Sequence, residues 1–180
     1  MPTPEEKQEL DGIQRLDPQV ISSIFDRYFP IVFRYARYRV SDVAQAEDIA
    51  SDVFVRLLEA ARNGKGPESN IKAWLLGTAS HAVNDHHRGK YRHPTEDIPE
   101  SIQDHQATPA ETSEHNDRQR KIRLAMEKLT PEQQHVIALR FGQELSLEET
   151  AAILKKNVNA VKQLQLRALA ALNRQIDETL

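Results

Sequence analysis

Thr130–Leu172 reads TPEQQHVIALRFGQELSLEETAAILKKNVNAVKQLQLRALAAL. Thr130, Pro131 and Gln133 combine an N-cap threonine, a proline at the first helical position and a capping-box glutamine, so a helix starts here. His135 to Phe141 is expected as a short helix that Gly142 ends. Ser146-Leu147-Glu148-Glu149 is a second capping box and opens a helix to Leu154. The polar turn Lys155-Lys156-Asn157 separates it from a helix running from about Asn159 to Leu172. Two helices joined by so short a turn, the second with a polar outer face, make a helix-turn-helix. In the second helix Val161, Leu164, Ala168 and Leu172 form the inward stripe, while Asn159, Lys162, Gln163, Leu166 and Arg167 point largely outward. Arg and Lys suit guanine or phosphate; Asn and Gln suit adenine.

Upstream, Ile122, Leu124, Ala125 and Leu129 predict one more helix. Before it, HPTEDIPESIQDHQATPAETSEHN, residues 93–116, has three prolines, six acidic residues and no lysine or arginine. With few large apolar residues it cannot build a core and reads as an acidic, flexible linker. Further upstream, Val20, Ile21, Ile24, Phe25, Tyr28, Phe29, Val32, Tyr35 and Ala36 recur at three and four, the spacing of one helical face, with Pro30 as a kink. Asp42, with Gln45 three residues on, caps a helix carrying Ile49, Val53, Phe54, Leu57 and Leu58, which stops near Asn63-Gly64. The loop NGKGPESN leads to Ser69 or Asn70 as the cap of a helix through Trp74, Leu75, Ala79 and Val83 toward Arg88.

The fold class is therefore all-α: two small helical domains, 1–92 and 117–180, around the linker 93–116. The chain has 180 residues, 39% hydrophobic and only 6% aromatic, which suits two small helical cores. Cysteine is absent, excluding disulfides and thiolate zinc sites and favouring a cytoplasmic setting. No apolar run reaches membrane-spanning length and MPTPEEKQEL is no signal peptide, so a soluble protein without membrane insertion is expected. The net charge of -3 hides alternation along the chain. Residues 1–26 and 93–116 sum to -4 and -6, whereas 27–92 and 117–180 sum to +4 and +3. Both expected domains thus carry a basic excess in the segments that bear their motifs.

Two blocks, AEDIASDVFVRLLEA followed by IKAWLLGTASHAVNDHHRGKYR, resemble the promoter-melting domain of the extracytoplasmic-function (ECF) sigma factors of bacterial RNA polymerase. The block Leu129–Leu172 is similar to their minus-35-binding domain. The order of the two, with a short acidic linker between, covers nearly the whole chain. What the resemblance implies is a transcription initiation factor, not an enzyme, with no cofactor and no metal. Its partners would be core RNA polymerase, promoter DNA and an anti-sigma factor that covers both domains.

By the same resemblance, Asp48, Ser51 and Asp52 belong to the surface that docks on polymerase, with Val53 and Phe54 in the core. Ser51 stands where glutamine is usual. The loop Asn63–Lys72 matches the segment that captures a flipped minus-ten base, with Lys65, Ser69 and Lys72 as its contacts; unstacked bases need a pocket and cations for the strand's phosphates. His81 replaces the asparagine usual at the base pocket. Asp85 orients nearby basic groups, and Arg88, Lys90 and Arg92 form a phosphate-contacting cluster. Trp74 is placed in the core by its spacing, with base stacking as the other reading. Lys162, Arg167 and Ala168 match the family, although Leu164-Gln165 stands where Arg-Leu is usual; Lys162 and Arg167, with Asn159 and Gln163 from the outward polar face, are the expected minus-35 contacts. Lys155 and Lys156 are either phosphate contacts or a solvated turn.

Two other readings compete. Asp85-His86-His87 matches the DHH triplet of manganese-dependent phosphoesterases, with His81 one turn upstream, but such sites draw further ligands from strand ends and no buried β-run exists here. A stand-alone helix-turn-helix regulator explains the C-terminal block and leaves the WLLGTASHAVNDHHRGKYR block without a role.

Overall fold

Short polar side chains set the helix starts, because the first turn of a helix leaves backbone N–H groups that need an acceptor. In the computed structural model, which describes residues 1–92 and 109–178, Asp17 accepts from Gln19 N, Asp42 from Ala44 N and Asn70 from Ala73 N. Thr130 pairs with Gln133, and Ser146 with Glu149, as full capping boxes. The helices that follow are α1 (Pro4–Gln14), α2 (Pro18–Arg39), α3 (Val43–Arg62), α4 (Ile71–Arg92), α5 (Pro109–Glu127), α6 (Pro131–Ile137), α7 (Leu147–Leu154) and α8 (Val158–Asp177). No strand forms among the described residues, so the chain is all-α as expected.

Phe25 and Leu58, expected on the apolar faces of α2 and α3, are exposed; four further details depart from the sequence reading. Helix α1 was not foreseen, yet Thr3 and Glu6 form a capping box and Leu10 and Ile13 are buried. Its packing is close: a Cβ on Gly12 would meet Val20 at 2.6 Å. Gln45 is not the capping-box partner of Asp42; its Oε1 lies 3.0 Å from His86 Nε2, because α4 offers a partner that the first turn of α3 does not need. The segment Ala138–Gly142 is a π turn rather than a continuation of α6. Finally, α5 starts at Pro109, inside the stretch expected to be linker, while residues 93–108 lie outside the described residues. Pro30 sits in the interior of α2 without ending it.

A first core gathers Ile24, Val32 and Tyr35 of α2, Val53 and Leu57 of α3, and Leu75, Leu76 and Val83 of α4. A second gathers Met126, Leu129, Val136, Ile137, Ala151, Val161, Leu164 and Ala168. Each fully buried leucine or isoleucine contributes about 1.5–3 kcal/mol, whereas each exposed ion pair contributes about 1 kcal/mol at most, so the cores hold the fold.

The two halves pack against each other. Ala138, Leu139 and Leu145 of the C-terminal half enter the first core. Gln143 Nε2 donates to Ile31 O at 3.2 Å. Between them lies a polar cluster built on Arg39, which is 6% exposed. Its Nη1 donates to Tyr35 Oη (2.9 Å) and Ser80 Oγ (3.2 Å), its Nη2 to Asn84 Oδ1 (2.9 Å) and Gln134 Oε1 (3.2 Å). Because the Tyr35 hydroxyl accepts from Arg39, its own proton goes to His135 Nδ1, 2.7 Å away. Gln134 is oriented from behind, its Nε2 donating to Leu129 O at 3.0 Å.

His135 is held neutral: burial, then the charges of Arg39 and His81, push its pKa down from 6.5 to about 3. The sign follows from proton binding. As pH falls below 6.5 the unfolded chain takes up the proton and the native hub does not, so its contribution is complete above about 6.5 and lost as pH falls toward 3. Between pH 7.5 and pH 5 the unfolding free energy should drop by about 2 kcal/mol on this account. Urea titrations at both pH values check it: His135→Gln should flatten the drop, and an unchanged drop would assign it to another group.

Candidate nucleic-acid interface

The α3–α4 connection is shaped by two local constraints. Gly64, at φ 67, ends α3 in the left-handed region. Six residues on, Asn70 rather than Ser69 caps α4, which leaves the Ser69 side chain in the loop. Lys65 and Ser69 are exposed and Lys72 is half-buried. His81, exposed on α4, shares its face with Asp85 and Arg88, since four and seven residues make one and two turns. Helix α4 carries Lys90 and Arg92 too, but their side chains lie outside the described residues.

Ser69, Trp74 and His81 line a groove of about 740 Å3 whose opposite wall is His135, Ile153 and Lys155 of the C-terminal half. Trp74 is therefore both things the sequence left open: half-buried against the first core and open on one side to the groove. The groove sits where the flipped-base loop was expected.

A chain of ion pairs joins α3 to α4. Asp52 Oδ2 lies 2.7 Å from Arg56 Nε, Arg56 Nη2 3.1 Å from Asp85 Oδ2, and Asp85 Oδ1 2.7 Å from Arg88 Nη2. Arg56 and Arg88 together hold the Asp85 carboxyl below the usual carboxylate range, Arg56 first. Asp85 thus orients two arginines, as expected, and Arg56 is a member of the site that sequence reasoning missed. Its signal was present: arginine four residues after Asp52 on a helix.

The DHH triplet does not assemble a metal site. Asp85 is engaged by the arginines, His86 reaches back to Gln45, and the two histidine rings stand 6.1 Å apart at 60°. His87 instead lines a second cleft with Arg39 and Arg88. Among the described residues no three histidine, cysteine, aspartate or glutamate side chains are placed to hold a metal ion.

In the C-terminal half, Lys155 ends α7 at φ 54 and Asn157 then caps α8 by accepting from Ala160 N at 2.8 Å. This sharp reversal aims α8 across α7. Val161, Leu164 and Ala168 are buried and Leu172 partly so, while Asn159, Lys162, Gln163, Leu166 and Arg167 are exposed, matching the expected stripes. Gln165, at the position of the family's departure, is spoken for: its Oε1 accepts from Arg140 Nε at 2.7 Å, and Arg140 also donates to Leu145 O. Arg140 thereby ties the segment before α7 to α8, a role no spacing announced. Leu166 is 67% exposed in the middle of the polar face. Lys155 and Lys156 are both exposed, and Lys156 lies 2.8 Å from Glu132 Oε1.

On α3, Asp48 and Ser51 are exposed and Asp52 is partly covered by its pairing with Arg56. Val55 and Leu58, 50% and 39% exposed, extend the same surface toward the C-terminus of α3. Leu58, expected on the core-facing stripe of this helix, is instead exposed beside Val55, because the core takes Val53, Phe54 and Leu57.

The chain matches Sigma-70 region 2 over residues 24–93 and Sigma-70, region 4 over residues 125–174. It is 30% identical over 164 residues to the ECF RNA polymerase sigma factor SigX of Bacillus subtilis, covering 86% of this chain and 82% of that one. It is 31% identical over 167 residues to the ECF RNA polymerase sigma factor BldN of Streptomyces coelicolor, covering 92% of this chain but only 63% of BldN. Among solved structures, CnrH in complex with the cytosolic domain of CnrY shares the fold, with a TM-score of 0.68, 19% identity and coverage of 96% and 97% of the two chains. With both region matches in the expected order and relatives at this identity over most of its length, the chain belongs to the ECF RNA polymerase sigma factors, which are DNA-binding transcription initiation factors rather than enzymes.

Proposed function

We propose that this chain directs core RNA polymerase to promoters, the domain 117–180 reading minus-35 duplex with α8 while the domain 1–92 holds the melted minus-ten strand in the α3–α4 groove. The observation that carries the reading is the pairing of two different nucleic-acid surfaces in one small chain. An exposed helix face of Asn159, Lys162, Gln163 and Arg167 suits base edges and phosphates in a major groove. A groove with an aromatic wall at Trp74 and polar groups at Ser69 and His81 suits an unstacked base. Lys65 and Lys72 from the loop, and Arg88, Lys90 and Arg92 from α4, serve the strand's phosphates. Lys155 serves a duplex phosphate; Lys156 does so once it leaves Glu132. The polymerase supplies the catalysis, and the factor works where polymerase does, in the cytoplasm; no helix among the described residues is long and apolar enough to cross a membrane.

Asp48, Ser51 and Asp52, with Val55 and Leu58 beside them, form the polymerase-docking face, where charge complementarity sets partner choice. An anti-sigma factor is the regulator that family membership supports; the sigma factor RpoE of Bartonella quintana is found in complex with the anti-sigma factor NepR.

Run-off transcription with purified core polymerase and pooled promoter fragments tests the whole reading: transcripts must appear only with the protein present. If none appears and no complex with core elutes from a sizing column, a stand-alone duplex-binding regulator takes its place.

Two variants dissect the surfaces. Lys162→Ala in the holoenzyme should lower the slope of log affinity against log salt by about one, the mark of a lost phosphate contact. Leu166→Ala should leave that slope alone and cost about 1 kcal/mol only on sites with a thymine methyl in reach. Titrations of both variants indistinguishable from wild type would remove α8 from the interface. On the docking face, Asp48→Arg reverses an exposed charge. Core binding measured by anisotropy should weaken about tenfold, with the circular dichroism spectrum unchanged; undiminished binding would place the docking face elsewhere.

A further inference from the structure

A second cleft, of about 720 Å3, opens where α2, α4, α5 and α6 meet, and it shares no lining residue with the groove assigned to the minus-ten strand. Its volume falls among the roughly 300–1,000 Å3 of small-molecule sites. Arg39 stands in its wall, buried, with four hydrogen-bond acceptors that are all neutral and no partner for its Nε. Taking a charge out of water is costly unless an opposite charge offsets it, and the acceptors around Arg39 supply none.

Further cations converge on the same place. His87 and Arg88 line the cleft from α4. A small recess beside it, sharing Arg39, Ser41 and Gln134, adds Arg123 from α5. Arg37 joins the corner through Ser41, its Nη1 donating to Ser41 O at 2.8 Å. Arg37 and Arg123 stand within each other's field: burial first, then the charge of Arg123, lower the Arg37 pKa against the pull of Asp42. Glu127 is the one carboxylate among the lining residues, and Asp85, which holds Arg88, is shared with Arg56. Like charges gathered from three helices repel, so their convergence calls for an anion between them. The remaining wall is apolar, formed by Val40, Leu129 and Pro131, and suits a ring rather than an ion alone.

We propose that this cleft binds a small phosphorylated ligand of nucleotide size, its phosphate facing His87 and Arg88 in the field of Arg39 and its ring against Val40, Leu129 and Pro131. A carboxylate offers two oxygens in one plane. A phosphate monoester offers three and carries close to two charges, so it can meet cations that arrive from different helices at once. The site goes beyond promoter recognition: Arg88 is the one residue it has in common with the strand contacts proposed above.

Calorimetric titration of the full chain with adenosine monophosphate, a phosphate and a ring in one molecule, tests the site. One molecule per chain should bind with a Kd of about 1 mM or tighter. Adenosine should not bind, and inorganic phosphate should displace the nucleotide. Arg88→Ala, at a largely exposed side chain, should weaken binding about tenfold, the loss of one charge-assisted contact. Glu127→Gln should act in the opposite sense and tighten it about threefold, because it removes the opposing carboxylate from an exposed position. A merely structural role for Glu127 would not raise affinity. Lys7→Ala, exposed on α1, should leave the Kd as it is. The proposal is overturned by an absence of binding at about 10 mM nucleotide, by adenosine binding as tightly as the nucleotide, or by equal weakening in Lys7→Ala and Arg88→Ala. It is overturned as well if a single-stranded oligonucleotide without terminal phosphates binds more tightly than the nucleotide and responds to Glu127→Gln in the same way, which would make the cleft a strand-backbone site. None of these outcomes touches the sigma-factor reading, which run-off transcription tests without the ligand.

Discussion

The guanidinium of Arg39 is the constraint around which the rest is arranged. A buried arginine must find acceptors for a planar fork of donors, and it can do so only if α2, α4 and α6 are mutually fixed. Tyr35, one turn before it, passes the demand on to His135, and Gln134 anchors it to the end of α5 through Leu129. The polar cluster contributes little net stability beside the two apolar cores. What it supplies is direction: of the many ways two amphipathic bundles could touch, few place these acceptors around one cation.

Helices α3 and α4 are tied to each other by electrostatics of a looser kind. Asp52, Arg56, Asp85 and Arg88 alternate in sign across α3 and α4, all substantially exposed, so each link is individually weak. Their value lies in linking Arg88 of α4 to Asp52 of α3 through Asp85 and Arg56. A partner that captures Asp52 would release Arg56 to Asp85 alone and so alter how firmly Arg88 is held. In the proposed function, polymerase engagement and strand engagement then share one set of charges.

Much of this is legible in the sequence. The capping boxes at Thr130 and Ser146 and the cap at Asp42 place helix starts because the chemistry of an unsatisfied N–H is local. The stripes of α8 were legible for the same reason, as period 3.6 alone separates Val161 and Leu164 from Lys162 and Gln163. What escaped was whatever depended on a partner remote in sequence. Gln45 looks like a capping residue until His86 arrives from α4. His135 looks like an ordinary helix residue until Tyr35, a hundred residues away, buries and neutralises it. Helix α1 escaped because its polar composition dilutes the apolar period, although Thr3 and Glu6 carried the capping signal. Val55 and Leu58 were hidden by the neighbouring core positions, which made their exposure invisible in the pattern.

The π turn at Ala138–Gly142 has a consequence for how this chain can vary. Each helical residue advances the chain by about 100° around the axis, so one residue more or fewer before Ser146 would swing everything downstream by that angle. The wide turn absorbs a residue that a regular helix could not. It also carries Leu139 into the first core and Gly142 against Tyr38, so its length and its contacts are set together. Substitutions elsewhere in the segment are a matter of volume and polarity. A single deletion here would instead re-aim α8 relative to the first domain while leaving every remaining side chain chemically suitable. Among lineages descending from this chain, residue count between Ala138 and Gly142 should therefore be under tighter restraint than residue identity.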